Sequence, residues 1–149
     1  MTTKKNRESN SPIVDKKALT LAGARHVLLA AEAEAKRQGL SVAIAIVDDG
    51  GHLLHFIRMD NLHIAPIDVS LGKARTALRF KKPSKVFADA LASGSQGLLA
   101  LADLVPLEGG VPLNVGGATV GAIGVSGGPP DIDGKIAMAG AAALTEVLG

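Results

Sequence analysis

The chain has 149 residues, of which 47% are hydrophobic and 2% aromatic, and it contains no Cys, Trp or Tyr. The lack of Cys excludes disulfides, thiolate catalysis, iron–sulfur clusters and covalent c-type haem attachment. The net charge of +2 comes from the first twelve residues, and no basic stripe is interleaved with aromatic residues, so the composition argues against nucleic-acid binding.

The amino-terminal segment, residues 1–14, is polar and charged and is predicted to be a disordered tail. Residues 15–149 are predicted to form one domain, which is an ordinary domain size. The tail has no apolar core of a secretory signal, and the chain has no uncharged apolar stretch of membrane-spanning length. We therefore expect no membrane association and a cytoplasmic location.

The first half of the chain predicts a helix, a hairpin and a second helix. Apolar residues at helical spacing predict a helix over 18–37. An apolar run at 41–47, the turn sequence Asp-Asp-Gly-Gly at 48–51 and a second apolar run at 52–58 predict a β-hairpin. Residues 64–80 again show helical spacing, and Lys-Lys-Pro ends that helix.

The second half is richer in glycine. Two short helices are predicted at 84–92 and 95–104, each with a Ser as its N-cap. Region 105–128 alternates short apolar runs with glycines, which predicts two or three strands with Pro residues at strand ends or on an edge.

A final Ala-rich helix is predicted over 134–148, capped by Asp131 or Asp133. The element order favours an α+β fold with a mostly antiparallel sheet of about five strands flanked by helices. Strands do not alternate with helices throughout, which argues against a doubly wound parallel sheet.

Four segments of the sequence resemble the GlcG/HbpS family, which also includes the C-terminal domain of PduO-type proteins. They are the opening LTLAGARHVLLAAEAEAKRQG with SVAIAIVDDGGHLLHFIRMD, then IDVSLGKARTAL, then PLEGGVPLNVGGATVGAIGVSGG, and finally the Asp-containing start of the last helix. Together they cover about residues 18–148.

The resemblance implies a profilin-like fold and a homo-oligomer, in this family a hexamer or an octamer. It also implies a small ligand, with b-type haem foremost, and in some members a helical His is the proposed iron ligand. Other members are encoded beside catabolic genes, which leaves an accessory subunit of a catabolic enzyme as an alternative. The sequence has no Glu-x-x-Glu pair, so the iron-sensing role linked to that pair is not carried over.

His26 on the first helix is the candidate axial ligand of haem iron, since a neutral imidazole can bind iron through one ring nitrogen. The alternative is a partly exposed His at a helix flank or subunit contact. His63 or Met59 is a candidate second ligand, and the alternative is a solvated loop residue. Arg58 or Arg75 is the candidate partner of the haem propionates.

An enzyme acting on a small carboxylate is the second hypothesis, with candidate catalytic residues Arg58, Asp68 and Lys73. The alternative for this charged group, which includes Arg75, is a set of salt bridges. Asp68 and Arg75 are two turns apart and should share one helix face.

Two glycine-rich loops are candidate anion sites through their backbone N–H groups, one with Gly109 and Gly110 and the other with Ser126 and Gly127. The alternative is simple turn geometry. Independently, both faces of the predicted hairpin are apolar, so a monomer would expose apolar surface, which favours oligomerisation.

Overall fold

The computed structural model describes residues 10–149, and the part of the predicted tail at 1–9 lies outside the described residues. Residues 10–20 contain no helix or strand. In chain order the elements are α1 (Leu21–Arg37), β1 (Ala43–Asp48), β2 (Leu53–Arg58), α2 (Ala65–Phe80), α3 (Lys85–Ala92), a 3-10 helix (Gln96–Ala100), β3 (Gly110–Val115), β4 (Ala118–Ser126) and α4 (Pro130–Leu148).

Helix α1 begins where the sequence supplies a cap and ends at a glycine. The Thr20 side chain accepts a hydrogen bond from the N–H of Gly23, which satisfies one free donor of the first turn. Gly39 follows the helix with a φ of +69°, a left-handed conformation that glycine adopts easily. One stripe of the helix is buried at i, i+3, i+4 and i+7 spacing, formed by Ala24, Val27, Leu28, Ala31 and Ala35.

The sheet has the order β2-β1-β4-β3, and every neighbouring pair is antiparallel. Four strands replace the roughly five that were predicted, because region 105–128 forms only β3 and β4. Pro112 lies in β3 on the edge of the sheet, where its missing N–H is not needed for a second neighbour. The α+β class with an antiparallel sheet is confirmed.

Helices cover both faces of the sheet. On one face α1 and α4 enclose the larger core, which includes Ile44, Ile46 and Ile123 from the central strands. On the other face α2 packs on β1 and β4 through small residues, among them Ala74 and Ala122. The buried strands are continuous apolar runs in the sequence because helices cover both of their faces.

Helix α2 approaches β4 so closely at position 124 that only glycine fits beneath it. A Cβ added at Gly124 would lie 1.9 Å from the Ser70 carbonyl oxygen of α2. A Cβ at Gly110, on neighbouring β3, would lie 2.2 Å from the Lys73 carbonyl oxygen. The glycines of this region therefore set the position of α2, and with it the position of Lys73.

Three local predictions were wrong. Helix α4 begins at Pro130, four residues before the predicted start, because proline is well accommodated in the first turn of a helix. Neither Asp131 nor Asp133 is its N-cap, and both lie inside the first turn. The second short helix is a 3-10 helix. Ser84 and Ser95 do occupy the predicted N-cap positions, although neither side chain forms a capping hydrogen bond.

Within residues 10–149, no helix has the length and apolar character needed to cross a membrane.

Candidate functional site

A groove with mainly apolar walls lies beside the start of α1 and the end of α4, and we call it the His26 groove. Its volume is about 630 Å³, within the usual range for small-molecule sites. The lining residues come from the segment before α1, from α1, from β3 and β4 and from the end of α4: Lys17, Ala18, Leu19, Thr20, Ala22, Gly23, His26, Val115, Val120, Leu144, Val147 and Leu148.

His26 offers an available imidazole in this groove. Its side chain is exposed, and within residues 10–149 it takes part in no hydrogen bond or ion pair. Ala22 and Gly23, four and three residues earlier, occupy the same helix face. Because both are small, the surface beside the imidazole stays open to a flat ligand.

A second cavity of about 610 Å³, the Arg58 pocket, lies where α1 ends and β2 ends. Arg58, Met59 and Asp60 line it together with Lys36 of α1. Met59 therefore lies near the C-terminal end of α1, whereas His26 lies in the N-terminal half of that 17-residue helix. Met59 and His26 of the same chain therefore line different cavities.

Asp68 and Arg75 share one face of α2, as predicted, and line a smaller cavity of about 270 Å³ together with Arg79 and Asp103. The Arg75 Nε donates a hydrogen bond to the Gly51 carbonyl at 3.0 Å. That contact holds Arg75 against the hairpin turn. Asp68 is exposed and does not line the Arg58 pocket, whose lining includes no residue of α2.

Lys73 points into the interior instead. Its Nζ lies 3.1 Å from Oδ2 of Asp133 and donates to the Val125 carbonyl at 2.9 Å. The two side chains are only 3% and 2% exposed. Glycine at 109 makes room for the ammonium group, since a Cβ there would lie 2.9 Å from Nζ.

Burial dominates the electrostatics of this pair. It lowers the pKa of Lys73 and raises the pKa of Asp133, because a charged group loses hydration in the interior. Their mutual attraction, and the nearby Glu108 carboxylate in the case of Lys73, oppose these pKa shifts without cancelling them. The two charges therefore form a buried ion pair, and their hydrogen bonds must offset the hydration that they lose on folding.

The glycine-rich loops are already bound to groups of the protein itself. The Gly128 N–H donates to Oδ1 of Asp133 at 2.9 Å, and Gly127 also hydrogen-bonds that carboxylate. The Gly110 N–H donates to Oγ of Ser84 at 2.8 Å. The anion that the second loop holds in this structure is thus the Asp133 side chain.

The predicted site residues are consequently divided among several places. His26 lies in one groove, Arg58 in a second pocket, and Asp68 with Arg75 in a third, while Lys73 is buried. Ser126 is also buried, at the end of β4. The described chain does not assemble Arg58, Asp68 and Lys73 into one catalytic site, and it places neither Arg58 nor Arg75 in the His26 groove.

The sequence predicted Asp133 only as a candidate helix cap, and its ion pair with Lys73 was not predicted. A signal was present in α2, where Lys73 falls within the buried stripe Pro66, Ser70, Lys73 and Ala77. A Lys at such a position needs a buried partner. Across residues 10–149, no three His, Asp or Glu side chains converge as a metal site.

Comparison with known proteins identifies the family. A family model described as haem degrading protein HbpS-like matches residues 19–142. The chain belongs to the HbpS-like family. Protein GlcG of Escherichia coli strain K12 is 39% identical to it over 100 residues, which are 67% of this chain and 75% of GlcG.

Solved structures of HbpS-like proteins share the fold. A double mutant of HbpS from Streptomyces reticuli is 35% identical, with a TM-score of 0.81 over 92% of this chain and 91% of that one. A PduOC–haem complex is 26% identical, with a TM-score of 0.78 over 85% of this chain and 95% of the other. The family resemblance of the sequence is confirmed.

Proposed function

We propose that this protein binds b-type haem in the His26 groove, with His26 as an axial ligand of the iron. The observation that carries the proposal is an exposed, unengaged imidazole on one wall of an apolar groove of ligand size. Haem needs such a combination, because its ring is apolar and its iron takes a neutral His nitrogen.

The groove has the surface that a porphyrin ring would cover. Val147 and Leu148 at the end of α4 are each 58% exposed, an unfavourable state for two neighbouring apolar side chains. Val115, Val120 and Leu144 continue this surface toward the core. A bound ring would remove these side chains from water and gain hydrophobic free energy.

Lys17 is the cationic side chain of the groove lining, and it would neutralise a haem propionate. It lines the same groove as His26, whereas Arg58 and Arg75 line other cavities. An ammonium group binds a carboxylate as a point charge and tolerates several geometries. We therefore assign to Lys17 the propionate contact first expected of Arg58 or Arg75.

The family supports a tetrapyrrole as the ligand. One solved structure that shares the fold is a PduOC–haem complex, and the matching family model carries haem degradation in its description. Bound haem would supply a redox-active iron. The residues of this chain would hold the ring between apolar walls, ligate the iron through His26 and neutralise a propionate through Lys17.

The test is a hemin titration of the full-length protein followed by its Soret absorbance. Wild-type protein should give a sharp, saturable band, and His26→Ala should abolish or blue-shift it. His63→Ala is the matched control, because His63 is exposed on the loop before α2 and lines none of the cavities described here.

An unchanged spectrum in His26→Ala would remove His26 from the site. A broad band that does not saturate in wild-type protein would mean nonspecific adsorption and would overturn haem as the ligand. Loss of the band in His63→Ala but not in His26→Ala would make His63 the ligand and would overturn the assignment of His26.

A further inference from the structure

The Arg58 pocket is a second cavity of ligand size, at the other end of α1 from the His26 groove, and the haem proposal leaves it unused. Its volume is about 610 Å³. Gly39 ends α1 on one side of it with a φ of +69°, and Asn61 turns the chain after β2 with a φ of +64°. Gly and Asn are the residue types that most readily adopt this conformation, so both turns are ordinary ends of α1 and β2.

The pocket has four charged side chains, and two of them are already paired. Lys36 Nζ lies 3.4 Å from Oε1 of Glu32 one helical turn earlier. Arg58 and Asp60 remain, and within residues 10–149 the side chain of neither forms a hydrogen bond or an ion pair. They are two residues apart in the chain and both line the same cavity.

The backbone that carries Arg58 and Asp60 is fixed by hydrogen bonds, while both side chains are exposed. Arg58 ends β2 and pairs in register with Ala43 of β1. The Met59 N–H donates to the Val42 carbonyl at 3.0 Å, and the Asp60 carbonyl accepts a hydrogen bond from the Ser41 hydroxyl. The unpaired cation and the unpaired anion are therefore carried on hydrogen-bonded backbone.

The rest of the wall is partly apolar. Leu40 and Ile57 line the pocket and pack against the main core, so they are fixed in position. A ligand that fits this set has a carboxylate for the guanidinium, an ammonium for the carboxylate and a short apolar side chain. A dianion would leave Asp60 facing a like charge, which is unfavourable.

We infer that the Arg58 pocket binds a small zwitterion of the α-amino-acid class, with its carboxylate on Arg58, its ammonium on Asp60 and its apolar side chain on Leu40 and Ile57. The inference does not depend on haem binding, because the two cavities share no lining residue.

Calorimetric titration of the full-length protein with three related probes tests the class of ligand. L-leucine carries both charges, L-leucinamide lacks the carboxylate, and 4-methylpentanoate lacks the ammonium. Leucine should bind saturably, and each of the other two should bind at least about tenfold more weakly, because one charged hydrogen bond is lost. Binding of 4-methylpentanoate as tight as that of leucine overturns the zwitterion.

Two variants test the residues. Arg58→Gln and Asp60→Asn should each weaken leucine binding by about tenfold or more and leave the hemin titration unchanged. Arg37→Gln is the matched control, since Arg37 lies at the same end of α1, pairs with Glu34 and does not line the pocket. Undetectable leucine binding at millimolar concentration, or equal binding in Arg58→Gln, overturns the inference.

Discussion

The ammonium nitrogen of Lys73 lies 3.1 Å from Oδ2 of Asp133, and this contact joins helices that lie on opposite faces of the sheet. Lys73 belongs to α2 on one face, and Asp133 belongs to the first turn of α4 on the other. The bond from Lys73 to the Val125 carbonyl adds the end of β4 to the connection. All three layers of the fold therefore meet at one buried ion pair.

Removing either charge should destabilise the fold strongly. Lys73→Met leaves a buried carboxylate without its cation, and Asp133→Asn leaves a buried ammonium without its anion. Each should lower the free energy of unfolding by about 3–5 kcal/mol, measured by urea denaturation. The double variant should lose less than the sum of the two single losses, because it leaves no unpaired charge.

The exposed pair Lys85–Asp89 provides the control for this cycle. Its side chains are 53% and 64% exposed, so Lys85→Met should change the unfolding free energy little. Additive losses in the Lys73–Asp133 cycle would contradict a direct coupling of the two charges.

The same pair should give the protein a measurable pH dependence of stability. The raised pKa of Asp133 means that the folded state binds more protons than the unfolded state above pH 3.8, so stability from Asp133 falls as pH rises through its folded pKa. The lowered pKa of Lys73 means that the unfolded state binds more protons just below pH 10.5, so stability from Lys73 rises there with pH.

The double variant Lys73→Met, Asp133→Asn isolates this effect. The unfolding free energy of wild type minus that of the double variant should be smallest near neutral pH and should increase toward both acid and alkaline pH. Chemical denaturation across the pH range measures it. A difference that is largest near neutral pH would mean that the ion pair outweighs its own desolvation.

The strand and helix pattern could be predicted from the sequence because it depends on local periodicity. The buried stripe of α1 and the apolar runs of the hairpin are visible in the local sequence. Their predicted boundaries agree with the observed ones to within a few residues. The start of α4 was predicted four residues too late because Asp131 or Asp133 was predicted as its cap, although proline fits the first helical turn.

The candidate site could be predicted only in part, since it depends on contacts between distant segments. Lys73 and Asp133 are 60 residues apart, and no local pattern pairs them. Arg58, Asp68 and Lys73 are close in the chain, yet α2 turns Lys73 inward and leaves Asp68 exposed. His26 could be chosen from its helix, but its groove needs Leu144 and Val147 from the far end of the chain.

Filling the His26 groove without touching the imidazole should weaken haem binding. Ala22 is exposed and lines the groove four residues before His26, so Ala22→Phe places a ring where the porphyrin should lie. We expect the apparent hemin affinity to fall by about tenfold or more, because the Phe ring would clash with the bound ligand. A tenfold change corresponds to about 1.4 kcal/mol of binding free energy. Ala92→Phe, at the exposed end of α3, is the control. Equal affinity in both variants would argue against this groove.

The contact between α2 and β4 should not tolerate a methyl group. Gly124→Ala would place its Cβ against the Ser70 carbonyl and the Ala74 N–H, both backbone groups that cannot move without shifting the helix. We expect a loss of about 3 kcal/mol or more in the free energy of unfolding. Gly97→Ala meets nothing within 4 Å and should leave the protein equally or slightly more stable. Comparable stability of the two variants in urea would mean that α2 sits further from the sheet.

Exposed apolar residues in and after the 3-10 helix predict self-association. Leu99 of that helix is 68% exposed, and Leu101 and Leu107, which follow it, are each 45% exposed. Water contact with this many apolar side chains is unfavourable, and a second copy of the chain would cover them. Sedimentation velocity should therefore show a species several times the 15.1 kDa of one chain, stable over a tenfold dilution. Leu99→Asp should shift it toward smaller species, whereas a wild-type monomer at every concentration would refute the prediction.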